Sequence, residues 1–242
     1  MSAVMNVDAV IFDKDGTLLD FDAFWVTVSE KAVEETLEWA GDGVTSVAEV
    51  LEAFGVRDGV TDIEGVLCKG TYLELGEILH NIMNSHGASK DTDEVVRALS
   101  AAYKRHTDAG EIKPTCAELV SVLSKLKRQG KRLAVVTTDN AEITLKCLEA
   151  LGIAELFDKI YSDDGETPTK PDPYCVYDFC ERFGIEKERV VMVGDTMTDM
   201  RFAMNAGIPA IGIAKSASNA NILAPHAKAV IRDPSHLPEI LK

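Results

Sequence analysis

The chain has 242 residues, a formal charge of −15 and 46% apolar residues. The apolar share can build a core and excludes a disordered chain, while the acidic balance repels phosphate backbones and argues against a nucleic-acid partner. No apolar run approaches the ~18 residues of a membrane span. No basic leader precedes an apolar stretch, and the five cysteines form no Cys-x-x-Cys pair, which predicts a reducing, cytoplasmic setting.

The first element is read from "VDAVIFDKDGTLLD" (7–20). Its apolar run 9–13 suits a strand covered on both faces. Two aspartates, Asp13 and Asp15, then bracket Lys14, with Gly16 behind them for a sharp turn. If the strand direction continues, Asp13 and Asp15 share a face and Lys14 takes the other. Carboxylates held that close raise each other's pKa or call for a cation.

The next strand signal, 132–137, lies far beyond what one crossover helix requires. Between them, Val47, Val50, Leu51 and Phe54 follow helical spacing. Ile78, Leu79, Ile82 and Met83 make a second stripe, and Val95, Val96, Leu99, Ala102 and Tyr103 a third. Glycine-bearing loops at 41–43 and 55–59 separate them. These signals predict an inserted α-helical domain over 18–109, with a core formed by 1–17 and 110–242. In that core, Thr115 and Glu118 are spaced for a capping box and Gly130 for a C-terminal cap. Strand-like runs 132–137, 158–162, 190–195, 208–213 and 228–233 alternate with helical patterns, which predicts an α/β fold with a doubly wound, Rossmann-like parallel sheet.

Ligands of such sheets bind at strand carboxyl ends. The first end presents Asp13 and Asp15, the second Thr137 and Thr138 ahead of a helix N-terminus, and the fourth Asp195 with Asp199 one helical turn later. The loop 167–173 presents Lys170 among prolines. Taken singly, each has an ordinary explanation: a turn, a buried hydroxyl, a solvated lysine, an acidic helix start. Taken together, the carboxylates call for a hard divalent cation with oxygen ligands. Mg²⁺ is the usual ion where phosphate oxygens complete the shell. A hydroxyl and a lysine then suit phosphate oxygens, and a spare carboxylate can attack phosphorus or move protons.

In order and spacing, "DKDGT", Thr137, Lys170 in "KPDP" and "GDTMTD" resemble the four motifs of the haloacid dehalogenase-like superfamily of aspartate-nucleophile phosphatases, over the whole chain. The insertion after the first motif resembles the helical cap of its phosphoglycolate phosphatase and β-phosphoglucomutase branch. The resemblance implies a Mg²⁺-dependent phosphatase acting on a small phosphate ester. It implies Asp13 as nucleophile and Asp15 as acid and base. It also implies a metal held by the carboxylates of Asp13 and Asp195 and the backbone carbonyl of Asp15. Asp199 would support that shell or orient Lys170, and Thr137, Lys170 and the backbone near Gly16 and Thr138 would bind the phosphoryl oxygens. Asp15 argues against the family's dehalogenases and phosphonate-cleaving members, which lack that aspartate.

A phosphosugar mutase of the same superfamily is the alternative that the motifs leave open. A phospho-accepting receiver domain is a remote one, since its phosphorylated aspartate lies on a middle strand without a long helical insert. In the insert, which is expected to act as a mobile lid, Arg57 and Lys69 are the candidate substrate contacts. Phe21, Phe24 and Trp25 line an entrance or fill the insert's own core.

Overall fold

The computed structural model describes residues 4–41 and 45–242. The chain divides into two units, one of Met1–Asp20 with Ile112–Lys242 and one of Phe21–Glu111. The loop expected at 41–43 falls largely outside the described residues.

The first unit starts with β1 (Ala9–Phe12), every residue of which is buried. The chain then leaves for the second unit and returns through α6 (Leu119–Arg128) and β4 (Arg132–Asn140). There follow α7 (Ala141–Ala150), β5 (Lys159–Asp163), α8 (Tyr174–Phe183), β6 (Val190–Gly194) and α9 (Met197–Ala206). The unit ends with β7 (Ala210–Ile213), α10 (Ala217–Leu223), β8 (Ala229–Ile231) and α11 (Leu237–Ile240). These labels follow the order along the whole chain, and α1–α5, β2 and β3 belong to the second unit. The six strands form one sheet in the order β5-β4-β1-β6-β7-β8, with every neighbouring pair parallel. β1 is thus central, hydrogen-bonded to β4 and β6, and strand order reverses beside it.

Alternation on β1 sends Val10 and Phe12 into one apolar layer with Leu123, Leu126 and Leu148. Ala9 and Ile11 enter the opposite layer with Val176, Phe179 and Phe202. Both faces are covered, so the strands read as continuous apolar runs rather than alternating ones. The predicted capping box on α6 is not formed. The helix begins later, with Glu118 at a cap that lacks a side-chain bond. Thr115 instead donates its hydroxyl to the carbonyl of Thr17 at 2.6 Å, and its N–H to that of Leu18 at 3.0 Å. Asp20 donates to the Lys113 carbonyl. This pairing of outgoing and returning chain keeps Leu18, Leu19 and Asp20 with the first unit, a little beyond the boundary expected at residue 17.

The second unit contains four longer helical segments, Thr27–Ala40, Val47–Phe54, Tyr72–Ser85 and Thr92–His106. The predicted stripes supply its interior: Val50 and Phe54, Leu79 and Met83, Val95, Leu99 and Ala102 are buried. Thr71 and Glu74 cap the third segment reciprocally. Gly76 on that helix has no room for a Cβ, which would lie 2.6 Å from Val96 Cγ2, so the last two helices approach closely there. Tyr103 donates its hydroxyl to Ser29 Oγ at 2.8 Å, tying the last helix to the first. Phe24 is buried and stacks edge-on against Trp25, so it serves the unit's own core. The stretch 55–59, expected to be a loop, belongs to an antiparallel ribbon of Val56–Arg57 with Val60–Thr61. Asp58 and Gly59 both have positive φ, the conformation a two-residue hairpin requires. The insert is therefore helical with one small β-ribbon.

Candidate active site

β1 hands its chain directly to the site: Asp13 follows its last residue, and the Asp13 N–H donates to the Val193 carbonyl of the neighbouring β6. Two residues beyond β6's valine, Asp195 leaves the adjacent strand end, so the sheet register itself brings the two carboxylates together. Asp199 sits in the first turn of the helix Met197–Ala206. Oxygen atoms of Asp13, Asp195 and Asp199 all lie within 4.8 Å of one another.

Lys170 Nζ bridges two of the three, at 2.5 Å from Asp13 Oδ1 and 2.7 Å from Asp199 Oδ1. The second oxygen of Asp199 accepts from the Thr196 N–H at 3.0 Å and the Thr196 hydroxyl at 2.8 Å. Both oxygens of Asp199 are thus engaged, which fixes its carboxylate and, through it, the lysine. Thr17 donates its hydroxyl to Asp195 Oδ1 at 3.2 Å. Glycines make the crowding possible. A Cβ on Gly16, whose φ is +75°, would lie 2.0 Å from Asp195 Oδ2, and one on Gly194 would lie 2.3 Å from Asp199 Cγ.

The electrostatics follow from this packing. Burial, opposed by Lys170, pushes the Asp13 carboxyl up from 3.8 to about 7. Burial, joined by the charges of Asp13 and Asp199, raises Asp195 well above the usual carboxylate range. Burial alone would lower the Lys170 ammonium, but Asp13 and Asp199 outweigh it and raise it. A site with raised carboxylates, oxygen donors only and a spread of a few ångströms fits a hard divalent cation such as Mg²⁺, whose charge relieves the repulsion.

Asp15 lies beyond the end of β1 at Phe12, so the condition of a continuing strand is not met. The chain turns after β1, and the side-chain alternation does not continue. Asp15 directs its carboxylate to Lys14, whose Nζ lies 2.8 Å from Oδ1 and 2.7 Å from Oδ2. The clustered carboxylates are those of Asp13, Asp195 and Asp199, and the Asp15 side chain is not among them. Thr137 is buried near the end of β4, and its hydroxyl oxygen accepts the Asp139 N–H at 3.2 Å. Thr138 next to it is exposed. Arg57 and Lys69 form ion pairs within the second unit, with Glu52 at 3.7 Å and Glu64 at 2.6 Å.

Four contributors escaped the sequence reading: Thr17, Thr196, Lys14 and Asp139. The first two are hydroxyls inside motif stretches already singled out. The serious omission is Lys14, which has no solvent exposure and lies 2.9 Å from Asp139 Oδ2 as well as against Asp15. A lysine set between two aspartates at a strand end was the available signal.

Residues 7–207 match the family described as haloacid dehalogenase-like hydrolase. The chain belongs to that family and is an enzyme. It is 29% identical over 215 residues to a phosphoglycolate phosphatase of Neisseria meningitidis, covering 88% of this chain and 82% of the relative. It is 32% identical over 206 residues to the pyrophosphatase PpaX of Halalkalibacterium halodurans, covering 84% and 82%. Among solved structures, one titled a "predicted phosphoglycolate phosphatase" from Haemophilus somnus superimposes with a TM-score of 0.72 at 20% identity, covering 97% of each chain. The expected phosphoric monoester hydrolase agrees with these relatives, and the family match displaces the receiver-domain alternative. No helix among the described residues is long and apolar enough to cross a membrane.

Proposed function

We propose that the protein is a Mg²⁺-dependent phosphatase of a small phosphorylated metabolite, of phosphoglycolate or sugar-phosphate type, working through an aspartyl-phosphate on Asp13. The observation that carries this reading is the placement of Asp13 at the central strand end, sharing Lys170 with Asp199 inside a cluster of three carboxylates. An acceptor aspartate needs a cation beside it to approach a phosphate, and here a buried lysine supplies one.

Asp13 attacks phosphorus in line, and the bond from phosphorus to the leaving oxygen breaks. Asp15 gives that oxygen a proton. Asp15 then takes a proton from water, the water oxygen attacks phosphorus, and orthophosphate leaves with Asp13 regenerated. Lys170, Thr137 and backbone N–H groups near Gly16 and Thr138 hold the phosphoryl oxygens, where the charge of transfer accumulates. Asp13, Asp195 and the Asp15 carbonyl would hold Mg²⁺, which supplies neutralising charge when bound. Asp199, with both oxygens engaged, orients Lys170. Selectivity among esters is assigned to the inserted unit, with Arg57 and Lys69 as its candidate contacts, on the sequence argument alone.

The test is turnover of a phosphometabolite panel with and without Mg²⁺, together with acid-quenched mass spectrometry of the peptide that contains Asp13. A phosphoryl adduct on that peptide, chased away by water, is expected. Turnover undiminished in excess chelator, or an adduct absent under rapid quench, would overturn the reading.

A further inference from the structure

Lys170 is one of two lysines held between carboxylates at this strand end. Lys14 is fully buried, and its ammonium meets both oxygens of Asp15 and one oxygen of Asp139. The backbone around it is also fastened. The Lys14 carbonyl accepts the N–H groups of Leu18 and Leu19 at 2.8 and 2.9 Å, and Gly16 donates to the Leu19 carbonyl. The Asp139 backbone is held in turn, because its N–H donates to Thr137 Oγ1. Asp15 is thus reached from its own turn and from the end of β4, with an ammonium between the two.

A lysine buried for packing alone would be an expensive choice, since removing an ammonium from water is costly unless its partners are well placed. Its carboxylate partners here, Asp15 and Asp139, both lie outside the Asp13, Asp195 and Asp199 cluster. Its contacts bear on the orientation of Asp15.

We propose that Lys14, anchored by Asp139, is a positioning residue that orients the Asp15 carboxyl for proton transfer to the leaving oxygen. The inference rests on the assignment of Asp15 as acid and base made above. As the bond from phosphorus to oxygen breaks, its electron pair goes to the leaving oxygen, which takes the proton from Asp15. An alkyl alkoxide needs that proton far more than a nitrophenolate, which is a stable anion. Loss of Lys14 should therefore harm esters according to their leaving group.

The experiment compares kcat/KM, which reports the steps through leaving-group departure, for an alkyl phosphate and for 4-nitrophenyl phosphate. Lys14→Met is expected to lower the alkyl value about 100-fold and the aryl value by less than about 5-fold, the scale on which a placed general acid contributes. Asp139→Asn, which keeps the shape of the side chain, should show the same selectivity with a smaller loss. It decides the matter if Lys14→Met does not fold. Equal losses on both esters, no loss, or a gain on the alkyl ester overturns the proposal. Asp15→Asn is the control. If it shows the leaving-group selectivity and the Lys14 and Asp139 variants do not, the positioning role fails while the phosphatase reading stands. If Asp15→Asn lacks the selectivity, the assignment of Asp15 fails and the positioning role falls with it.

Discussion

Both units carry surface ion pairs, Arg189 with Asp8 in the sheet unit among them, but they differ in what they bury. In the sheet unit, Lys14 and Lys170 are buried, each between two aspartates, and Asp13 and Asp199 are buried with them. In the inserted unit, Arg57 pairs with Glu52 and Lys69 with Glu64 where both partners are well exposed, and Arg105 pairs with Glu35 nearer the surface than the core. Exposed pairs give up little hydration and gain little, so their removal is mild. Buried pairs gain nothing on balance over an apolar core and leave a stranded charge when one partner is lost. The inserted unit is built as an ordinary helical domain with a polar exterior. The sheet unit keeps ions in its interior at one strand edge, a choice that stability does not explain and that phosphoryl chemistry does.

The largest effect that sharpens this contrast is expected from Asp13→Asn. The amide keeps the shape but cannot attack phosphorus, so turnover should fall by about 10³-fold or more while circular dichroism shows a folded chain. Substantial residual turnover would place the nucleophile elsewhere.

Lys170→Ala is next. All esters present the same phosphoryl group, so kcat/KM should fall on the order of 10²- to 10³-fold for every substrate alike. A loss confined to some substrates would move Lys170 from phosphoryl binding to recognition of the leaving part.

A third test is of stability in the metal-free protein. The folded-state pKa of Asp13 is raised from 3.8 to about 7, and that of Asp195 is raised as well. A raised carboxyl contributes stability that is complete below its unfolded value and lost as pH rises through its folded value. Ionising these groups therefore weakens the fold toward neutral pH. A divalent cation opposes this, so the rise in Tm on adding Mg²⁺ should be clearly larger near about pH 8 than near about pH 5. Equal Mg²⁺ effects at both would show that the buried carboxylates are not the binding site.

The smallest effects belong to the inserted unit. Arg57→Ala and Lys69→Ala should each change Tm by less than about 2 °C, as surface substitutions do. Turnover of 4-nitrophenyl phosphate should stay within about 2-fold, while the ranking of natural esters shifts. An unchanged ranking would move selectivity to loops of the sheet unit.

Much of this molecule is legible along the chain. The apolar runs at 9–13, 132–137 and 190–195 become neighbouring parallel strands because a strand covered on both faces has only apolar residues to offer. The helical stripes of the insert become its interior for the corresponding reason of period, and Asp13, Lys170, Asp195 and Asp199 meet because each lies at or beside a strand's carboxyl end. What the chain left undecided depends on distances between segments far apart in sequence. The capping box at Thr115 lost to a better partner, the Thr17 carbonyl, brought close by the returning chain. The ribbon at 56–61 needed two short strands to find each other across the Asp58–Gly59 turn. Lys14 was set on the face opposite the aspartates by simple alternation. The tertiary structure instead turns the chain there and brings Asp139 from the next strand, because a buried ammonium takes the conformation that surrounds it with carboxylates.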